Sequence, residues 1–157
     1  MKKLLFFLLL ASVPAFAQIA PTSENSQVAP FKEANAVLVQ TADSGRVALV
    51  KLANLLQGRG IIVERIDYTL LSLYTKTAPV PGAVYPADMT LLATATAGTN
   101  SRLTLSGQTS TVVLNQKVNL PAAVKGGERG AGLLAFRLMQ QTAEAYPGGK
   151  VSYTKRP

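Results

Sequence analysis

The chain has 157 residues, of which 16 are Lys or Arg and 8 are Asp or Glu, and it contains no His, Cys or Trp. Without His it lacks the side chain that most easily transfers protons near neutral pH, and without Cys it lacks thiolate nucleophiles, iron–sulfur ligands and disulfides. We therefore expect no cofactor and no metal site, because any metal would have to be held by oxygen ligands alone.

The first residues have the pattern of a secretory signal peptide. Two lysines precede an unbroken apolar run at residues 4–10, and Ala15 and Ala17 are small residues at the two positions that a signal peptidase reads. We predict cleavage between Ala17 and Gln18, so that residues 1–17 are removed and the protein is exported, to the periplasm or the extracellular space.

A transmembrane anchor is the alternative for this segment. The apolar stretch is interrupted by Ser12 and Pro14 and is shorter than the roughly 20 residues that a spanning helix needs. Because no Cys follows the cleavage site, the usual lipid attachment is excluded as well, and we expect no stable membrane anchor after cleavage. The 140 remaining residues carry 14 basic and 8 acidic side chains, a net charge of +6.

Residues 18–30 (QIAPTSENSQVAP) are polar, hold two prolines and show no sustained periodicity, which predicts a flexible leader. The apolar fraction of 48% is ample for a packed core, so residues 31–157 are predicted to form a single domain.

The first elements of that domain are a strand and a helix. Residues 34–41 (ANAVLVQT) have the apolar pattern of a buried strand. Asp43 or Ser44 then offers a side-chain oxygen to the free amides of a helix start, and the following run, GRVALVKLANLLQGRG, has helical spacing of its apolar residues. Gly58 or Gly60 is expected to end this helix in the left-handed conformation.

Two further strands follow. Residues 61–66 (IIVERI) return to β character, and residues 70–77 (LLSLYTKT) form the next strand. The connection that begins at Asp67 is short enough for a hairpin.

Residues 78–87 hold three prolines and a glycine, and this composition predicts an exposed loop. Tyr85 lies in this loop and is a candidate partner contact, because an exposed ring beside prolines buries a large area at small entropic cost. The alternative is a ring that folds back over the sheet.

Residues 89–97 alternate between apolar and polar, residues 98–101 make a turn, and residues 103–106 return. The pattern predicts a half-buried antiparallel hairpin. Residues 111–114 are expected to continue the sheet beyond a bulge at Gly107.

A second helix is predicted at residues 131–146, followed by a last short strand at residues 150–154. The order β-α-β-β-β-β-α predicts an α+β fold, with an antiparallel sheet of about five strands and two helices on one face.

The segment 34–75 resembles the helix-grip module of NlpB-type lipoproteins of the outer-membrane assembly machinery. The resemblance rests on the strand at 34–41, the helix ending in LLQGRG, the strand at 61–66, the turn at Asp67 and the strand at 71–75. The chain departs from that family in lacking the lipidation cysteine and a second copy of the module. The resemblance implies a periplasmic accessory domain without enzymatic activity, and it assigns no functional residue.

Two patterns bear on catalysis. Ser152 and Lys155 match the S-x-x-K motif of penicillin-binding enzymes, but the segment alternates like a strand and the companion motifs are missing. Glu64 and Asp67 are the closest carboxylate pair of the predicted domain, but an offset of three places strand side chains on opposite faces. We expect no catalytic residue.

The sequence therefore favours a non-enzymatic exported module that binds a protein or an envelope component through its sheet face or its proline-rich loop. A small hydrolase and a weak electrostatic binder of anionic envelope polymers are the alternatives. Nucleic-acid binding is not expected, because the basic residues are scattered and no aromatic platform lies among them.

Overall fold

The computed structural model describes residues 26–157, and over this range it has the α+β architecture that the sequence predicts. In chain order its elements are β1 (Ala36–Gln40), α1 (Gly45–Gly58), β2 (Val63–Asp67), β3 (Ser72–Thr75), β4 (Ala78–Pro79), β5 (Ala87–Ala95), β6 (Arg102–Val113), β7 (Gln116–Pro121), α2 (Ala131–Glu144) and β8 (Lys150–Thr154). The eight described strands form one antiparallel sheet, against the five or so expected.

The long hairpin of β5 and β6 organises the sheet. Strands follow the order β2-β3-β5-β6-β1-β8. Outside this order, β4 pairs with the start of β5 and β7 pairs with the second half of β6. The first half of β6 pairs with β1 and its second half pairs with β7. The predicted hairpin between residues 89–97 and 103–106 is thereby confirmed, and β6 continues without a break well beyond it.

Both helices cover the same face of the sheet. One row of strand residues on this face runs Leu73, Ala93, Leu105, Val37 as successive register partners. These residues share a single core with the apolar stripes of the two helices, which include Leu49, Leu52, Leu56, Phe136 and Met139. Burying each such leucine or phenylalanine contributes about 1.5–3 kcal/mol, so this shared stripe is what holds the helices in place.

Gly107 marks a close approach of a helix, and the expected bulge at this position is wrong. Gly107 pairs with Leu91 in an unbroken register. A Cβ at this position would lie 3.3 Å from the sulfur of Met139 on α2 and 2.8 Å from Cδ2 of Leu91. The glycine is therefore needed for space, and the irregularity of the sheet lies instead in β2, between Val63 and Arg65.

The start of α1 differs from the expected side-chain cap. Ser44 is the N-cap residue, but neither it nor Asp43 caps the helix with a side-chain hydrogen bond. The Asp43 carboxylate instead accepts hydrogen bonds from Lys51 and Tyr146. At the other end of α1, Gly60 has a φ of +78°, in agreement with the predicted left-handed closure.

Of two connections between strands that the sequence predicts, one is confirmed and the other is confirmed only in part. The hairpin at Asp67 is confirmed, since one Asp67 carboxylate oxygen accepts the amide protons of Thr69 and Leu70 at 2.9 Å. Residues 78–87 are not wholly an exposed loop, because Ala78 and Pro79 form β4 and Val80 is buried. Proline is tolerated there because β4 adds to the sheet only as a short flanking strand.

Near the beginning of the described range, Gln27 exchanges two backbone hydrogen bonds with Tyr153 of the edge strand β8. The predicted signal peptide, with its cleavage site between Ala17 and Gln18, lies outside the described residues. Neither helix within residues 26–157 combines the length and the apolar character that a membrane crossing requires.

Candidate functional site: the open face of the sheet

The face of the sheet turned away from the helices, here called the open face, is polar. Side chains alternate between the two faces of a strand, so the residues between those of the core point to this side. One row across the strands runs Ser72, Thr94, Thr104, Leu38 and Ser152, and the next runs Tyr74, Leu92, Ser106, Ala36 and Thr154. Hydroxyl groups alternate here with a few apolar side chains, in contrast to the aliphatic helix side.

A groove of about 820 Å³ lies on the open face. Its floor comes from β5 and β6, and the side chains that offer contacts there are Thr90, Leu92, Ser106 and Gln108. Register places Thr90 opposite Gln108 and, two residues along, Leu92 opposite Ser106, so a polar pair is followed by a pair of one apolar and one polar side chain. The groove can therefore contact both the polar and the apolar parts of a ligand.

One wall of the groove is built by residues 155–157. Asn35 holds this segment with a reciprocal pair of hydrogen bonds, since its side-chain amide donates to the carbonyl of Arg156 at 2.9 Å and accepts from the Arg156 amide at 2.7 Å. The Lys155 ammonium donates to the Glu33 carboxylate at 2.6 Å, and this contact holds the pKa of Glu33 below its usual value. The wall is thus fixed by side chains that precede β1.

The opposite wall carries the aromatic ring of the site. The Arg65 guanidinium lies 4.8 Å from the centre of the Tyr74 ring, a distance that gives a cation–π attraction. Arg65 and Tyr74 are register partners on β2 and β3, and Glu64 on the irregular part of β2 also lines the groove. An aromatic ring held in this way offers a rigid apolar surface with a polar tip.

A smaller cavity of about 150 Å³ continues the groove along β5 and β6. The two share Thr90 and Gln108, and the smaller one adds Asp88 and Lys117 at the end where β6 meets β7. The open face therefore presents an elongated depression rather than a round pocket, a shape that suits an extended ligand.

The sequence-predicted partner contact, Tyr85, is 72% exposed. Its ring does not fold back over the sheet, so the alternative considered from the sequence is wrong for this residue. Tyr85 lies outside the residues that line the groove, near the end of the sheet where β6 turns into β7.

In each of the two residue pairs considered for catalysis, the two side chains have different surroundings. Ser152 lies in a row of the open face on β8, whereas the Lys155 ammonium is bonded to Glu33. Glu64 lines the groove, while the Asp67 carboxylate is held by two turn amides, which lower its pKa. Within the described range, no group of three or more acidic side chains is placed to hold a metal ion.

Most groove residues were not singled out by the sequence. Thr90 and Leu92 belong to the outward-facing set of an alternating strand, and this is a signal for exposure but not for a groove. Asn35 and Arg156, which form the wall, are 121 residues apart, and no local pattern connects them.

The chain was also compared with known proteins. No protein-family model matches it, and no curated protein matches it in sequence.

Proposed function

We propose that this protein is a non-enzymatic binding module of the cell envelope whose open-face groove holds a strand of a hydroxyl-rich polymer, a glycan chain. The observation that supports this most directly is the groove of about 820 Å³, whose lining combines hydroxyl and amide side chains with a tyrosine and several apolar residues. Export through the signal pattern at residues 1–17 is part of the proposal and rests on the sequence alone.

The chemistry of the groove favours a sugar chain over a strongly charged polymer. A sugar ring presents hydroxyl groups around its edge and apolar C–H groups on its faces. Thr90, Ser106 and Gln108 can donate and accept hydrogen bonds, and Leu92 and Tyr74 provide apolar contact. The charged side chains of the lining are Glu64, Lys155 and Arg156, and Lys155 is already paired with Glu33.

The proposal includes no chemical step. The chain has no His and no Cys, and the described contacts of Lys155 lead to Glu33 rather than to Ser152. Shape and hydrogen bonding are sufficient for a binding role, whereas a hydrolase would need a nucleophile and a base within hydrogen-bond reach of each other.

The test measures binding of the purified protein to soluble envelope polysaccharide by titration calorimetry. The double variant Thr90→Ala/Gln108→Ala removes two exposed polar groups from the groove floor, and we expect about tenfold weaker binding with unchanged stability. Gln57→Ala, on an exposed position of α1 on the other side of the sheet, is the matched control and is expected to bind normally.

Absence of binding to any polysaccharide fraction, or equal binding by the double variant and the wild type, would contradict the proposal. Salt separates it from electrostatic adhesion. A hydrogen-bonded complex in the groove is expected to persist at 1 M salt, where the screening length is about 3 Å, whereas attraction by exposed charge fades. Loss of wild-type binding at high salt therefore counts against the groove.

A further inference from the structure

Two apolar segments that are distant in the sequence lie together at one end of the sheet. The exposed side chains, here called the apolar end, are Val84, Tyr85, Val112, Val113 and Leu114. The Thr111 hydroxyl joins the two segments by donating a hydrogen bond of 2.9 Å to the carbonyl of Pro86. Ala87 and Thr111 are register partners, so the proline-rich loop ends beside the part of β6 that leads into the β6–β7 turn.

Leu114 is the most unusual residue of this group. It is 94% exposed, and its φ of +49° puts it in the left-handed region, as does the φ of +63° at Asn115. Two-residue hairpin turns of this kind favour Asn and Gly, and a leucine with positive φ is uncommon. Exposure to water and a positive φ are both unfavourable for a leucine. Backbone strain of this kind is often found at functional positions.

The turn also extends past the end of β5. The last rung that β5 contributes is Ala87 with Thr111, and the rungs of Val112 with Lys117 and Val113 with Gln116 lie beyond it. Two residues of strand span about 7 Å, so the tip projects by about that distance. This matches the depth of 5–10 Å to which peripheral proteins insert their apolar groups into a lipid surface.

The hairpin that carries Leu114 has a positive charge and no negative one. Residues 108–121 contain a single charged side chain, Lys117, and no carboxylate. Arg129 is brought beside the proline-rich loop, because its carbonyl accepts the Val84 amide at 3.3 Å. The nearby carboxylates are Asp88 in the cavity beside Lys117, and Glu128. The whole chain has twice as many basic as acidic residues, so its field attracts an anionic surface.

We propose that the apolar end inserts reversibly into the surface of a lipid bilayer that carries anionic head groups. Leu114 and Val113 enter the boundary between head groups and acyl chains, and Tyr85 lies at the level of the head groups with its hydroxyl toward water. Lys117 and Arg129 face the lipid phosphates. The inference goes beyond the proposed function and does not depend on what the groove binds.

The experiment uses sedimentation of the purified protein with vesicles of phosphatidylglycerol and phosphatidylcholine, and with vesicles of phosphatidylcholine alone. Leu114→Asn removes the apolar side chain and suits the positive φ, so the variant is expected to fold normally but to partition about tenfold less to the anionic vesicles. Leu70→Asn, at a position in the β2–β3 turn that is 70% exposed, is the control and is expected to partition like the wild type. Both variants have the same N-terminus as the wild type, so any vesicle binding by that segment is equal in all three proteins.

A second readout uses the absence of Trp from the chain. Leu114→Trp introduces a single tryptophan, whose emission is expected to shift to shorter wavelength with anionic vesicles and not with phosphatidylcholine alone. The proposal is overturned if Leu114→Asn partitions like the wild type, or if neither kind of vesicle shifts the tryptophan emission. A change of oligomeric state in Leu114→Asn without a change in vesicle binding would assign the apolar end to a second copy of the chain and likewise overturn it.

Discussion

The hydroxyl of Tyr146 donates a hydrogen bond of 2.8 Å to the carboxylate of Asp43, although 103 residues separate them in the sequence. Asp43 precedes α1 and Tyr146 follows α2, so the bond joins the start of one helix to the end of the other. Lys51 donates to both oxygens of the same carboxylate at 2.8 Å. Burial, together with the contact to Asp43, raises the pKa of Tyr146 well above its usual value.

Replacing this hydroxyl should loosen the connection between the helices. We expect Tyr146→Phe to lower the free energy of unfolding by about 1–2 kcal/mol, because a hydrogen bond to a charged group is lost while the ring stays buried. Urea denaturation measures the change. Tyr85→Phe is the control, since its hydroxyl is on a largely exposed side chain, and a loss of the same size in both variants would refute the interpretation.

The Asp43 carboxylate also makes the stability of the protein depend on pH in the acidic range. The hydrogen bonds from Lys51 and then Tyr146 hold the pKa of Asp43 below its ordinary value of 3.8. The stabilisation is therefore fully present above the pKa of the unfolded chain and is lost as the pH falls through the lower pKa of the folded state. Unfolding measured between pH 5 and pH 2.5 should show a smaller decline in stability for Asp43→Asn than for the wild type. Parallel declines would show that Asp43 does not contribute.

Tyr153 predicts a second dependence, at alkaline pH. Burial, followed by the hydrogen bond to Glu144, raises its pKa from 10.0 to about 12. The folded state favours the neutral phenol, so this stabilisation is present below pH 10 and is lost as the pH rises toward 12. We expect Tyr153→Phe to lose less stability than the wild type over that interval. Absorbance of the phenolate provides the direct check, because one late-ionising tyrosine should disappear in the variant.

The two ends of α1 should respond oppositely to the same substitution. A Cβ on Gly45 would lie 2.6 Å from the backbone oxygen of Thr96, whereas a Cβ on Gly58 would meet nothing within 4 Å. Gly45→Ala is therefore expected to cost about 1–3 kcal/mol. Gly58→Ala should stabilise the protein by about 0.5–1 kcal/mol, because alanine loses less conformational freedom in a helix. Thermal unfolding of both variants distinguishes them, and a loss of stability in both would contradict the prediction.

Sequence periodicity correctly predicted helices and strands of which one face is buried. The strand predicted at residues 34–41 is β1, and the helix predicted at residues 131–146 is α2 without its last two residues. Both elements have an apolar side that packs into the core, and this is the condition under which a period of 2 or 3.6 becomes visible.

The same reasoning missed β7 because its side chains are almost all exposed. Gln116–Pro121 has only two alternating apolar residues, Val118 and Leu120, and the turn before it lacks the glycine that would indicate a hairpin. β4 was missed because it has only two residues, one of them a proline, and so short a strand has no periodicity.

The candidate site was less predictable than the fold. The groove depends on which outward-facing residues of β3, β5 and β6 become neighbours. It also depends on the hydrogen bonds between Asn35 and Arg156, which are 121 residues apart in the sequence. Such contacts follow from the order of the strands, which the pattern of single segments does not specify. For Tyr85 the sequence left an exposed ring and a ring folded back over the sheet as alternatives, and the structure shows an exposed ring.

The continuity of β6 gives the two proposed surfaces a fixed spacing. Gln108 lies in the groove and Leu114 at the tip of the hairpin, and six residues of extended chain correspond to about 20 Å. No loop intervenes that could act as a joint. If both proposals hold, a polymer bound in the groove is therefore kept at a fixed distance from a membrane that the tip contacts, and β6 sets that distance.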